Sequence, residues 1–287
     1  MKKPLLNNPA PHSPRLSTKP AELQLNRSER EVFMQSFLKK IISSAKNESE
    51  TLDSFNPISA DKKDINTILN DFDAINGMMT IVAGQAFAVF QVAQNENNIK
   101  GHLAEFGAFK GRSAFIIDCF KRQNEIFYIF DINVTNELKS LFHGREDIQI
   151  IQSDSRLAAS GSFIPKKHFR NFRLVHVDGN HTFENVQNDL VCAQKILGQR
   201  GLCILDDFEN PHYPQVQAAL YHYNYSSKGP LVPFLIGANK GFLCLKNDFE
   251  YWMNFTMDRF RLEMGKVGVD VLLSKTDKNP LFDVVYF

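Results

Sequence analysis

Residues 173–211 read RLVHVDGNHTFENVQNDLVCAQKILGQRGLCILDDFENP, and their pattern decides the fold class. A short apolar run, Arg173–Val177, ends on Asp178 and a Gly-Asn turn. A helical stretch follows, Glu184–Leu197, closed by Gly198. A second apolar run, Leu202–Leu205, ends on Asp206 and Asp207. Strand, helix and strand in that order form the repeating unit of a parallel sheet built from right-handed crossovers. Similar runs recur upstream at His102–Phe106, Ile126–Phe130 and Ile148–Ile151, with a helix expected at Ser113–Arg122. Downstream, a helix at Tyr213–Tyr223 precedes Val232–Ile236 and Gly241–Leu245. A GANK turn joins these two runs and makes them an antiparallel pair. The chain therefore reads as α/β: a Rossmann-like, doubly wound, mostly parallel sheet with a final antiparallel strand and an N-terminal helical lid.

Four segments follow from this reading. Residues 1–26 form a flexible arm, with five of the twelve prolines in the first twenty positions. Residues 27–98 form a helical lid or oligomerisation segment. It contains an amphipathic helix at Ser28–Lys46 with an N-cap Ser, and a helical region at Asp64–Ala93 split at Gly77 and Gly84. Residues 99–247 form the sheet domain. Residues 248–287 form an aromatic helical tail ending in FDVVYF, which docks on the domain or on a second subunit, so a homo-oligomer is expected.

Composition sets the outer limits. The chain has 287 residues with 33 Lys+Arg against 32 Asp+Glu, a net charge of +1, and 43% hydrophobic residues. Disorder needs low hydrophobicity with high net charge, and a phosphate-gripping nucleic-acid binder needs a basic excess, so neither class fits. No apolar run reaches the roughly 18 residues of a membrane span, and the start breaks into Asn and Pro where a secretory signal needs an apolar core. A cytoplasmic protein with no nucleic-acid or membrane partner is expected. The four cysteines are scattered with no CxxC pair, which reads as buried reduced thiols. The 25 Phe against 7 Tyr and 1 Trp read first as core filling.

Acidic residues recur where the strands end: Glu105, Asp131, Asp154, Asp178 and Asp206–Asp207, spaced by 26, 23, 24 and 28 residues. Open α/β sheets bind ligands at the carboxyl ends of their strands, so this series points to one shared cleft. The turn EFGAFKGRS (105–113) has glycines four apart, and missing side chains let a ligand approach the backbone beside the following helix N-terminus. It is not the GxGxxG of a dinucleotide site. Asp131 is placed to accept both hydroxyls of a ribose. Asp154 with Ser155 faces an adenine amino group, with a helix cap as the plainer reading. Asp178, Asp206 and Asp207 put three carboxylates at the ends of neighbouring strands. Their repulsion is relieved by a divalent cation such as magnesium, or by a cap and a basic partner. His181, three residues past Asp178, can take a proton from a substrate hydroxyl. His176, two residues before Asp178, admits a non-haem iron triad, with a satisfied strand histidine as the plainer reading.

HLAEFGAFKGRSAFIIDCF, FDIN, SDS and above all the VDGNH…LDDFENP pair resemble class I S-adenosylmethionine-dependent methyltransferases. The likeness is to the branch of macrolide-sugar O-methyltransferases grouped with cephalosporin-hydroxylase-like proteins. It covers about residues 75–247, and INGMMTIVAGQAFAVFQVA (75–93) is similar to the helix before the first strand in that branch. The resemblance implies that Glu105, Gly107, Gly111 and Ser113 line the methionine end of S-adenosylmethionine. It also implies that Asp131 holds the ribose and that Asp154 and Ser155 approach the adenine. Asp178, Asp206 and Asp207 match metal-binding acids, and His181 the general base. Where the family often has Asp-Gly-Asp-His, this chain has Asp178-Gly179-Asn180-His181, which removes one charge. The activity implied is metal-assisted methylation of a small-molecule hydroxyl, of a sugar or another secondary metabolite, with His181 and Asp178 as catalytic residues. The rivals are an iron/2-oxoglutarate hydroxylase and a non-catalytic partner-binding subunit.

Overall fold

The computed structural model describes residues 65–276 and 284–287. The proline-rich arm and the expected helix Ser28–Lys46 lie outside the described residues.

Five strands are parallel: β1 (His102–Phe106), β2 (Phe127–Asp131), β3 (Ile148–Gln152), β4 (Phe172–Val177) and β5 (Leu197–Asp206). Every residue of β1 and β4 is buried, as expected of strands covered on both faces, and their apolar runs are interrupted by His102, Glu105, Arg173 and His176. The antiparallel pair β6 (Leu231–Gly237) and β7 (Lys240–Leu245) follows, turning at Ala238 and Asn239, both left-handed at φ 51° and 64°. Two short strands, β8 (Ser274–Thr276) and β9 (Val284–Tyr286), complete the order β3-β2-β1-β4-β5-β7-β6-β9-β8. The sheet is thus mostly parallel, with the expected β6–β7 antiparallel pair, and β9 and β8 extend it beyond that pair. The tail begins with the aromatic helix Phe249–Phe255, carried on through a π turn to the helix Arg261–Lys266, and its apolar end packs on the domain: β9 pairs with β6, and Phe287 packs its ring on Phe242 and Phe260.

The helices between the strands are α3 (Arg112–Cys119), α4 (Asn136–Leu141), α5 (Phe183–Ile196) and α6 (Pro214–Tyr225). Before β1 stand α1 (Ile65–Ala74) and α2 (Ile81–Glu96). Thr80 caps α2 by accepting the Ala83 N–H, so the break in the helical region falls between Ala74 and Thr80, and Gly84 lies inside a continuous helix. Gly84 is small for packing: a Cβ there would come within 2.9 Å of the Phe72 ring. The described part of the segment before β1 is packed onto the sheet. Ala83–Gln94 of α2 are all buried in one core with Leu103, Leu174 and Ile204 of the sheet. Each of the helix's larger apolar side chains, Phe87, Val89, Phe90 and Val92, contributes roughly 1.5–3 kcal/mol when fully buried. Three glutamines rule out a purely greasy contact. Gln85, Gln91 and Gln94 donate to the carbonyls of Val267, Ile116 and Arg173, fixing the helix in register over the sheet.

Phenylalanine does fill this core. Phe90 touches the rings of Phe234, Phe242, Phe255, Phe260 and Trp252. All four cysteines are free and buried. Among the described residues, no helix is long and apolar enough to cross a membrane.

Candidate active site

The strand order turns at β1, with β2 on one side and β4 on the other, and a crevice opens outside the carboxyl ends at such a switch point. The two loops bounding it lie against each other. The Asp178 N–H donates to the Phe106 carbonyl at 2.8 Å, and the Gly107 N–H to the Phe130 carbonyl at 2.7 Å. Gly107 is left-handed at φ 86°, and a Cβ on it would lie 2.0 Å from the Asp178 carbonyl oxygen. Its missing side chain thus admits the neighbouring chain segment rather than a ligand. Gly111, also left-handed, opens α3 and lies against Leu138 and Leu141. Ser113 is buried in the first turn of that helix.

Asp131 ties down the same loop. Its Oδ2 accepts the N–H groups of Ala108 and Phe109, both at 2.9 Å, and Oδ1 accepts that of Asn133 at 2.8 Å. A carboxylate has about four lone-pair sites, so one remains for a further donor such as a ribose hydroxyl. Asp154 caps the short 3₁₀ turn Ser155–Ser160 and is paired with Arg156, which holds its carboxyl below the usual range. The cap reading of Asp154 is therefore present in the structure.

Three loops converge around His181. Its Nε2 lies 3.4 Å from Asp178 Oδ1 and 3.4 Å from Asp207 Oδ2, and its ring sits 4.5 Å from that of Tyr213, which is partly open to solvent. Burial alone would lower the imidazole pKa, but Asp178 first and then Asp207 and Asp206 raise it above 6.5. Burial, and then the Asp206 carboxylate, push Asp178 up to about 7. Asp207 is strained into the left-handed region at φ 53° and is anchored through Oδ1, which accepts from Asn210 at 2.8 Å and Asn239 at 2.7 Å. This is a sparsely populated backbone conformation that persists only where its surroundings over-determine it.

Beneath these groups runs a buried charged row. Glu105 on β1 faces His176 on β4, accepting from its Nδ1 at 2.8 Å. His176 Nε2 lies 3.6 Å from Asp206 Oδ2, and Asp206 pairs with Lys240, its register partner on β7. Desolvation disfavours the imidazolium, but Asp206 and Glu105 outweigh it and raise His176 to about 9. Asp206 is held far below the usual carboxylate range despite its burial, by His176 and Lys240. Glu105 and His176 are wholly buried, so Glu105 supports the crevice from inside instead of lining it, and His176 has no open side for an iron centre.

His176, Asp178 and Asp206 present ligand atoms within 4.8 Å of one another, yet an oxygen-only cation site needs unclaimed carboxylate oxygens. Asp206 Oδ1 already receives Lys240 and the Asp207 N–H, and Oδ2 faces His176. Asp207 Oδ1 is taken by two asparagines. The expected set of Asp178, Asp206 and Asp207 is gathered in one place, but these partners do not fit a three-carboxylate metal site. Sequence reading missed Lys240, Tyr213 and the two asparagines. Lys240 had one usable signal: the last residue of the GANK turn falls opposite the end of the strand that carries Asp206.

Residues 104–208 match the family model described as a methyltransferase domain. No curated protein matches the chain. Among solved structures, the chain is similar to the MycE methyltransferase from the mycinamycin biosynthetic pathway, in complex with Mg and S-adenosylhomocysteine. The identity is 17% and the TM-score 0.47, over 63% of this chain but only 54% of that one. The O-methyltransferase NovP aligns at 11% identity and TM-score 0.44, over 75% of this chain and 98% of that one. CalS11, a TDP-rhamnose 3′-O-methyltransferase of calicheamicin biosynthesis, aligns at 13% identity and TM-score 0.42, over 77% and 96%.

Proposed function

We propose that this chain is a class I S-adenosylmethionine-dependent methyltransferase that methylates a small-molecule hydroxyl, a reading supported by the methyltransferase-domain match over residues 104–208. The observation that carries the reading is His181 Nε2, held 3.4 Å from each of two carboxylates at the mouth of the crevice. The cofactor supplies an activated methyl on sulfur when bound. What the protein must add is alignment, proton acceptance and exclusion of water. Asp178 and Asp207 orient the imidazole and stabilise its protonated form once it has accepted the acceptor hydroxyl's proton. Asp131, with its remaining lone-pair site, suits a ribose hydroxyl. Tyr213 offers a flat wall beside the base, which suits the face of a sugar or of a ring-bearing secondary metabolite. The metal assistance expected from the sequence is not carried into this mechanism, because Lys240 already compensates Asp206.

Calorimetry with S-adenosylmethionine and S-adenosylhomocysteine tests the cofactor half of the reading, and binding of neither would sink it. For the base, His181→Asn should leave cofactor affinity within threefold of wild type and lower methyl transfer by about 10²–10⁴, the usual contribution of a positioned base. Full transfer by this variant would remove His181 from the chemistry.

A further inference from the structure

Four charged groups cross β1, β4, β5 and β7 in one row: Glu105, His176, Asp206 and Lys240. Lys240 is 3% exposed and Asp206 7%, so neither shares its charge with bulk water. A buried ammonium that loses its partner carries a desolvation cost of several kcal/mol, so the contact is not one that a weak ligand displaces. The β6–β7 turn adds a second tie. Asn239, next to Lys240, donates to Asp207, and its carbonyl accepts the Phe208 N–H. One short turn therefore addresses both acids at the end of β5, Asp206 through an ammonium and Asp207 through an amide.

We propose that Lys240 is the resident cation of this cleft. Its ammonium takes the place on Asp206 that a divalent ion would otherwise hold, so the cleft keeps its acids assembled without added metal. Lys240 is a positioning residue: it fixes Asp206, whose carboxylate accepts the Asp207 N–H, and Asp207 in turn holds His181. The inference rests on the methyltransferase reading of the crevice for its purpose, though its test does not use transfer as the readout.

The test titrates the full chain with MnCl₂ and MgCl₂ by calorimetry, and follows melting with and without Mn²⁺. S-adenosylhomocysteine binding is measured separately, so a failed cofactor assignment is distinguishable. Lys240→Met should melt below wild type and gain at least tenfold in Mn²⁺ affinity, with Mn²⁺ restoring the lost melting temperature, because Asp206 is released beside Asp178. A merely structural lysine would give the lower melting point without the new metal site. In wild type, Asp206→Asn should leave any Mn²⁺ binding unchanged. The proposal is overturned if wild type binds Mn²⁺ or Mg²⁺ saturably and Asp206→Asn abolishes that binding. Unchanged Mn²⁺ affinity in a folded Lys240→Met protein also overturns it. If Lys240→Met does not fold, the wild-type and Asp206→Asn titrations decide alone.

Discussion

Replacing Gly107 by alanine would plant a Cβ 2.0 Å from the Asp178 carbonyl oxygen, 2.6 Å from its carbon and 2.9 Å from the Gly179 Cα. All three neighbours are backbone, so no side chain can swing aside. The left-handed φ of 86° costs an L-residue about 1–2 kcal/mol. Forcing extra volume into a closed contact typically costs a further 1–3 kcal/mol. The sum, about 2–5 kcal/mol, corresponds to a melting midpoint lower by roughly 4–20 °C in a domain of this size. Gly144 supplies the control. It is also left-handed, at φ 76°, but has nothing within 4 Å of its would-be Cβ, so Gly144→Ala carries the conformational cost alone. Scanning calorimetry of both variants, with calorimetric titration of S-adenosylhomocysteine, separates collision from conformation. Gly107→Ala should melt well below Gly144→Ala and lose cofactor affinity, because the contact it breaks sets the crevice width. Equal melting points for the two variants would refute the argument that the β1 and β4 loops meet through this missing side chain.

Three further outcomes can be measured directly. His181 must be unprotonated to accept a proton, and its pKa is raised, so the ascending limb of transfer against pH should centre above the ordinary 6.5; a midpoint at or below 6.5 would contradict the carboxylate pair. His102 is lowered to about 4, chiefly by burial and then by His168, while its Nδ1 accepts the Ile126 N–H. The unfolded state therefore binds the proton first, and stability is lost as pH falls from 6.5 towards 4, by up to about 3 kcal/mol. In His102→Asn that acid loss should shrink in urea melts. Arg173 is wholly buried, with Nε and Nη2 on Glu125 and Nη1 on Gln94. Arg173→Ala should cost up to about 3–5 kcal/mol by chemical denaturation, since it leaves the buried Glu125 carboxylate with Arg122 alone; a loss under 1 kcal/mol would mean the pair is not closed to water.

Much of the fold was legible because two signals agreed. Apolar runs of strand length gave β1 to β5 within a residue or two at most ends, and the acids marked where each strand stops. β5 was the exception: it begins at Leu197, directly after α5, because Gly198 is a strand residue pressed against the Arg170 carbonyl. Glycines misled in general, since sequence shows that a side chain is missing but not what fills the space. Gly84 receives the Phe72 ring and Gly107 a neighbouring backbone. The acids do lie at or near the carboxyl ends of the parallel strands, but their partners were not foreseeable from local patterns. Asp206 meets Lys240 across 34 residues and Glu105 meets His176 across 71, so both pairings exist only once the sheet order is known. Asp131 and Asp154 remained ambiguous in sequence because capping a loop and meeting a ligand require the same residue.

The place of β9 has a consequence for the order in which the molecule can be made. Strand β6 is sandwiched between β7, its immediate hairpin partner, and β9, whose last residue follows Gly237 by 49 positions. At roughly 5–20 residues per second of synthesis, β6 spends on the order of 3–10 s with one row of backbone donors and acceptors open. An open apolar edge of that kind invites pairing with another nascent chain. Shortening the chain before Val284 would make that temporary exposure permanent, and would also remove the Phe287 ring from Phe242 and Phe260. The late-made strand β9 thus covers an edge of β6 that the hairpin alone leaves open.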